Sequence, residues 1–201
     1  NFLNYFDGKR TADSTSYENV FNARSKDAYS FFLKMGPLKN TQDGKYFGNK
    51  GKIWNEILEN DTYSEYWKSR NIRQHLKNIK PAVLVVGGWF DAEDLFGALN
   101  TYSSIESQSP GNKNFLVMGP WTHGAWASRD WSRFGTHDFA SNTSKYYQEL
   151  VEAQFFNFYL KNKGMMSLQE ATIFETGSNQ WKSYAQWPPV NVNREPYYFA
   201  K

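Results

Sequence analysis

Cysteine is absent from the 201 residues. That excludes disulfide frameworks and thiolate metal sites but leaves the compartment open, because exported and cytosolic proteins alike can lack it. Long hydrophobic runs are missing too: no apolar stretch reaches the roughly 18 residues that a membrane-spanning helix needs, so no membrane partner is expected. Histidine occurs only three times, at spacings that match no zinc site, and neither a metal nor an organic cofactor is expected. The opening Asn1-Phe2-Leu3-Asn4-Tyr5 has no charged segment followed by an apolar core, so no signal-peptide pattern is visible.

A strong excess of one charge is also lacking. The net charge is +3, with 14 basic against 9 acidic residues over positions 1–80 and 9 against 11 over 81–201. The basic residues are scattered among acids instead of gathering on one element, which argues against a nucleic-acid partner. What is plentiful is aromatic volume: 8 Trp, 13 Tyr and 16 Phe, large rigid side chains suited to a core and to pocket walls.

Three regions follow from changes in hydrophobic pattern. Residues 1–78 read as helical: Ser16 to Leu33 is amphipathic and stops at Gly36-Pro37, and Ile53 to Glu59 and Tyr63 to Leu76 are two further helices separated by Asn60-Asp61. Residues 79–166 change character. Ala82 to Val86 is a continuous apolar, β-branched run of the kind buried on both faces of a parallel sheet. A helix is expected over Ala92 to Glu106, a second buried strand over Phe115 to Met118, and, after a loop rich in Trp, an amphipathic helix over Ser144 to Lys161 with Tyr147, Leu150, Val151, Phe155 and Phe158 on its apolar face. Residues 167–201 alternate polar and apolar positions about a turn at Thr176-Gly177-Ser178-Asn179 and read as antiparallel, the entry to an all-β domain. The class is α/β.

Chemistry is expected at the carboxyl ends of the two strands, where parallel sheets gather ligands. Asp91 stands in Gly87-Gly88-Trp89-Phe90-Asp91-Ala92-Glu93-Asp94, and His123 in Gly119-Pro120-Trp121-Thr122-His123-Gly124. They are 32 positions apart, about one strand-helix-strand crossover, so the two side chains can meet on neighbouring strands. An Asp to His hydrogen bond there would set the imidazole tautomer for general-base work. A competing role for Asp91 is a helix N-cap, with Glu93 and Asp94 as first-turn acids complementing the helix dipole. His75 and His137 read as surface residues. No Gly-x-Ser-x-Gly nucleophile elbow occurs in the sequence, although Ser, Asp, His is the chain order of α/β-hydrolases; the chain therefore reads as the C-terminal part of a larger enzyme, inactive on its own.

Several long motifs in order carry a family resemblance: Tyr63 to Arg70 with Asn71-Ile72, Pro81 to Leu99, Leu116 to Gly124, Phe155-Phe156 with Tyr159-Leu160-Lys161, and Glu175 to Trp181 leading to Trp187-Pro188-Pro189. The chain resembles the C-terminal half of the α-amino acid ester hydrolases, often labelled glutaryl-7-aminocephalosporanic acid acylases, a branch of the cocaine esterase and X-prolyl dipeptidyl peptidase class. The resemblance implies the last strands and helices of an α/β-hydrolase core at 79–166, part of a helical cap at 1–78 and the start of a C-terminal jelly roll at 167–201. It implies Asp91 and His123 as triad members, and Glu93 and Asp94 as two of three carboxylates that hold the substrate's α-ammonium group. The implied partners are a small-molecule substrate, an α-amino acid ester or a β-lactam, and the N-terminal half with its serine; the implied compartment is periplasmic or extracellular. A homo-oligomer is the other arrangement that would cover the exposed sheet edges. The loop Ala125 to Trp131 departs from the family's glycine-rich version, with a bulky Trp131. The alternatives are an esterase or dipeptidyl peptidase without ammonium recognition, and a non-catalytic binding module.

Overall fold

The computed structural model describes residue 23, residues 25–193 and residues 195–199, and the chain divides into two compact units, Asn1–Asn71 and Ile72–Lys201. In the first, α1 (Ala28–Met35) begins where the Asp27 side chain accepts from the Ser30 amide and ends at Gly36, whose φ of 70° is readily reached only without a Cβ. The earlier part of the expected Ser16 to Leu33 helix lies outside the described residues. A 3-10 turn (Leu38–Gln42) follows, and then α2 (Lys52–Glu59). The two are joined by the Trp54 indole, which donates to the Thr41 hydroxyl at 2.7 Å.

The helix expected over Tyr63 to Leu76 is not continuous. It is a single turn, α3 (Glu65–Lys68), and a separate 3-10 turn at Ile72–His75 that belongs to the second unit. The cause is local: the Arg70 and Asn71 amides bond three residues back, to the Trp67 and Lys68 carbonyls, which tightens the chain until the α register is lost.

The second unit is an α/β sandwich. Strand β1 (Val83–Gly88), helix α4 (Leu95–Gln108) and strand β2 (Asn114–Gly119) form a parallel pair with its crossover. Their register runs from Val83 opposite Asn114 to Gly88 opposite Gly119. A two-stranded ribbon, β3 (Arg133–Phe134) and β4 (His137–Asp138), interrupts the long loop. Then come α5 (Thr143–Tyr146), a π-helical stretch (Tyr147–Glu152) and α6 (Ala153–Lys161), followed by β5 (Ala171–Glu175) and β6 (Gln180–Tyr184). The sheet order is β1-β2-β5-β6.

That order changes the reading of the third region. Only the β5–β6 pairing is antiparallel; β5 itself lies parallel to β2, with Leu116 opposite Ala171, and so extends the main sheet instead of opening a separate one. Local alternation of polar and apolar residues cannot reveal this, because a strand's pairing direction depends on the chain's path between elements.

Strand periodicity of two sends successive β2 side chains to opposite faces. Leu116 and Met118 pack with Val85, Ala98, Tyr102 and Ile173 on the α4 side, while Val117 packs with Trp121, Tyr147 and Val151 on the other. The π stretch sets that second face: Tyr147, Val151 and Phe155 are buried, whereas Leu150, expected inside, is 57% exposed. A π turn shifts the helical phase relative to an α-helix, leaving the 147/151/155 stripe inward.

Two glycines allow the strand ends to close on Trp121. A Cβ on Gly88 would overlap the Trp121 carbonyl oxygen, and one on Gly119 would lie 2.5 Å from the Trp121 ring. Trp121 is fully buried and cannot retreat. Gly88→Ala is expected to lower unfolding free energy by about 3 kcal/mol, seen as a lower urea midpoint at unchanged slope.

Candidate active site

Beyond their last paired residues, β1 and β2 stay joined by backbone bonds. The Trp89 amide donates to the Gly119 carbonyl at 2.9 Å, and the Phe90 amide to the Trp121 carbonyl at 3.0 Å. The Trp89 indole reaches over the sheet to the Phe174 carbonyl of β5 at 2.9 Å. Parallel register therefore continues into both loops, and Asp91 and His123 emerge side by side.

Asp91 orients the histidine, but it is not the helix N-cap expected: α4 starts at Leu95 with Asp94 as its N-cap and no acid in its first turn, so Asp91 binds amides ahead of the helix. Its Oδ1 accepts the amides of Glu93 (2.8 Å) and Asp94 (3.0 Å), while its Oδ2 lies 3.0 Å from His123 Nδ1. The carboxylate is only 2% exposed. Burial pushes its pKa up, but the two backbone amides and the adjacent His123 outweigh burial and hold it below the usual carboxylate range. An ionised carboxylate only accepts, so Nδ1 carries the proton and Nε2 presents a lone pair. The bond from Asp91, together with its charge, raises the His123 pKa above 6.5 against slight desolvation, with smaller contributions from Glu93 and Asp94.

The imidazole is half-exposed, and the carboxylate nearest its Nε2 is Glu93 Oε2 at 3.9 Å, too far for a hydrogen bond. Glu93 and Asp94 are exposed, and Asp94 is the N-cap residue of α4. The structure thus gathers Asp91, His123 and Glu93 at one point, with Asp94 near enough to act on His123 electrostatically. His75 and His137 are exposed. No group of three or more His, Asp or Glu residues that could hold a metal ion occurs among the described residues. A cavity of about 440 Å³ opens elsewhere, at the start of β2, and includes Asn114, Phe115, Tyr159 and Glu170 in its lining.

The loop that carries His123 is braced by residues that sequence reasoning left without a role. The Trp121 indole donates to Thr143 Oγ1 (3.1 Å), that hydroxyl donates to the Trp131 carbonyl (2.8 Å), and the Trp131 indole donates to the Pro120 carbonyl (2.8 Å). Asn142 Nδ2 donates to the Arg129 carbonyl, and Gln148 Nε2 to those of Trp126 and Ser128. Trp131, noted only as a bulky departure, ties the backbone at Pro120, three residues before the histidine, to Thr143. Its partners lie 11 and 12 positions away, so only Asn142, a good N-cap type before a helix, gave any local signal.

The sequence model of the X-Pro dipeptidyl-peptidase (S15) family matches residues 6–125, a stretch that contains both Asp91 and His123. The chain belongs to the S15 family. A solved aminopeptidase from a marine sediment archaeon, a Thaumarchaeota archaeon, superposes with a TM-score of 0.79 at 26% identity, over 93% of this chain. A selenomethionine-labelled α-amino acid ester hydrolase superposes with a TM-score of 0.78 at 24% identity, over 92%. The chain spans 30% of the length of each of these structures. No curated protein matches it. The S15 assignment and the two superpositions bear out the resemblance carried by the motifs, and they give the sheet and its helices an α/β-hydrolase-like fold.

The pair has a pH signature. Because the folded-state pKa of His123 is raised, its bond to Asp91 favours the folded form fully below about pH 6.5 and loses that effect as pH rises through the folded value. Asp91 acts in the opposite sense, its contribution fading as pH falls below the usual carboxylate range. In NMR titration His123 is expected to titrate above 6.5. Asp91→Asn, which keeps an oxygen for the Glu93 and Asp94 amides, is expected to move it acidic; an unchanged titration would show that Asp91 does not set the histidine's basicity.

Proposed function

We propose that this chain is the histidine- and aspartate-bearing part of a serine hydrolase that acts on substrates with a free α-amino group. The observation that carries the proposal is the buried Asp91 carboxylate bonded to His123 Nδ1 at 3.0 Å, with Nε2 left open at the ends of two parallel strands. The serine is supplied by sequence outside these 201 residues.

In this reading His123 Nε2 removes the serine Oγ proton as Oγ attacks the acyl carbon, and Asp91 stabilises the resulting imidazolium. The tetrahedral intermediate collapses, the leaving alkoxide or amine takes the proton from His123, and an acyl-enzyme remains. Water, deprotonated in turn by His123, releases the acid; an amine such as a β-lactam nucleus in place of water would give acyl transfer. Glu93 and Asp94 receive the ammonium. The position of Glu93 Oε2, 3.9 Å from Nε2, supports this, since an ammonium α to the acyl carbon must lie close to the reacting atoms. An aminopeptidase and an α-amino acid ester hydrolase, the two superposed enzymes, act on substrates whose free amino group sits on the acyl residue, whereas an X-Pro dipeptidyl-peptidase cleaves one residue further from the free amine.

In the complete protein, Asp91→Asn is expected to reduce kcat about 10⁴-fold, and a serine-directed fluorophosphonate is expected to label a residue outside positions 1–201. Glu93→Gln and Asp94→Asn should each lower kcat/KM for an α-amino ester about 10-fold or more, a loss of about 1.4 kcal/mol of transition-state binding, and leave the des-amino ester unchanged. Equal kcat/KM for the two esters in the unaltered protein would leave an esterase without ammonium recognition. Absence of any labelled serine would defeat the hydrolase reading.

A further inference from the structure

Asp94 is an unusual helix-start aspartate. It is the N-cap of the 14-residue α4, and its carbonyl accepts from the Ala98 amide at 3.1 Å, yet its carboxylate makes no capping bond. An N-cap aspartate ordinarily accepts from an amide of the first turn. Here Asp91 Oδ1 takes the amides just ahead of the helix, those of Glu93 and Asp94. The Asp94 carboxylate lies instead against the Cα of Gly97, in the volume that a side chain there would fill. A Cβ at position 97 would overlap Asp94 Oδ1 and stand 2.7 Å from Cγ and 3.2 Å from Oδ2; outside the helix backbone and its chain neighbours, these three Asp94 atoms are the nearest.

Nothing in the backbone calls for glycine at 97. Its φ is outside the left-handed region, and a helix interior disfavours glycine relative to alanine. The conflicting demand is space for one carboxylate. Because that carboxylate ends a short flexible side chain, a methyl group at 97 would not break the helix; it would turn the carboxylate away.

We infer that Gly97 is a positioning residue for substrate selectivity: by lacking a side chain it holds the Asp94 carboxylate, exposed and without a capping bond, where a substrate ammonium is received. The inference rests on the ammonium reading proposed above and adds to it the residue that places one of the two carboxylates. Gly97 touches no substrate and acts only through Asp94.

The test is a double-mutant cycle in the complete protein, with Gly97→Ala, Asp94→Asn and the two combined, each assayed on an α-amino ester and its des-amino counterpart and followed by thermal melting. Gly97→Ala is expected to melt no lower than the unaltered protein, to raise KM for the α-amino ester about tenfold with kcat little changed, and to leave the des-amino ester unaffected. On the Asp94→Asn background the same substitution should add nothing. An unchanged KM, equal changes on both esters, or a selective effect that persists without the Asp94 carboxylate would overturn the role of Gly97 while leaving the ammonium reading intact. A loss of selectivity in neither single variant would instead remove the Asp94 carboxylate from recognition and the role of Gly97 with it. A lowered melting temperature in Gly97→Ala that is restored in the combined variant, with no selectivity change in either, would assign the glycine to packing alone and overturn the proposal.

Discussion

Close approach of two backbones at the ends of β1 and β2 is the constraint on which the rest of the second unit depends. Gly88 and Gly119 face each other in register, and the absence of both side chains lets the Trp121 ring and carbonyl settle against them. Once the indole is there it is wholly enclosed, among Trp126, Tyr147 and Trp181. Its carbonyl accepts the Phe90 amide, so one residue joins the core to both loops that bear Asp91 and His123. A displaced Trp121 would carry Asp91 and His123 with it.

From this anchoring follows the economy of Asp91. One oxygen satisfies two amides ahead of a helix and the other satisfies an imidazole. Burying a carboxylate is costly unless it is hydrogen-bonded and paired, and here the same bonds that make burial tolerable also orient the histidine. Binding the amides and orienting the histidine need not compete, because a carboxylate has two oxygens pointing in different directions. The exposed acids Glu93 and Asp94 then lie next to the imidazole as a geometric result of those amide bonds.

Several elements were legible from local pattern. Both parallel strands, the helix between them and the Asp91 to His123 pairing come from signals within a few residues of each position, combined with the rule that crossovers place strand ends side by side. The break of the Tyr63 to Leu76 helix, the π stretch that turns Leu150 outward and the parallel placement of β5 were not legible. The first is a local tightening of the turn that periodicity does not register; the other two depend on competition between a local preference and a distant partner. The bracing of the histidine loop by Trp131, Asn142 and Gln148 belongs with those two, because a side chain's donor capacity is visible in sequence but the carbonyl it will meet is not.

The sequence by itself determined the residue types and their spacing: an acid and a histidine one crossover apart, two glycines before the acid and one before the histidine, two acids following the first, and no cysteine, zinc spacing or serine elbow. These are properties of order along the chain, and periodicity converts them directly into strands, helices and ends. Only the tertiary structure decided that both oxygens of Asp91 are in use, that Nε2 stays open, that β5 extends the main sheet, and that Gly97 leaves room for the Asp94 carboxylate. Those outcomes are set by distances of a few ångströms between groups on different elements. Hydrogen bonding and excluded volume act on such distances, whereas sequence records only the order in which the groups are joined.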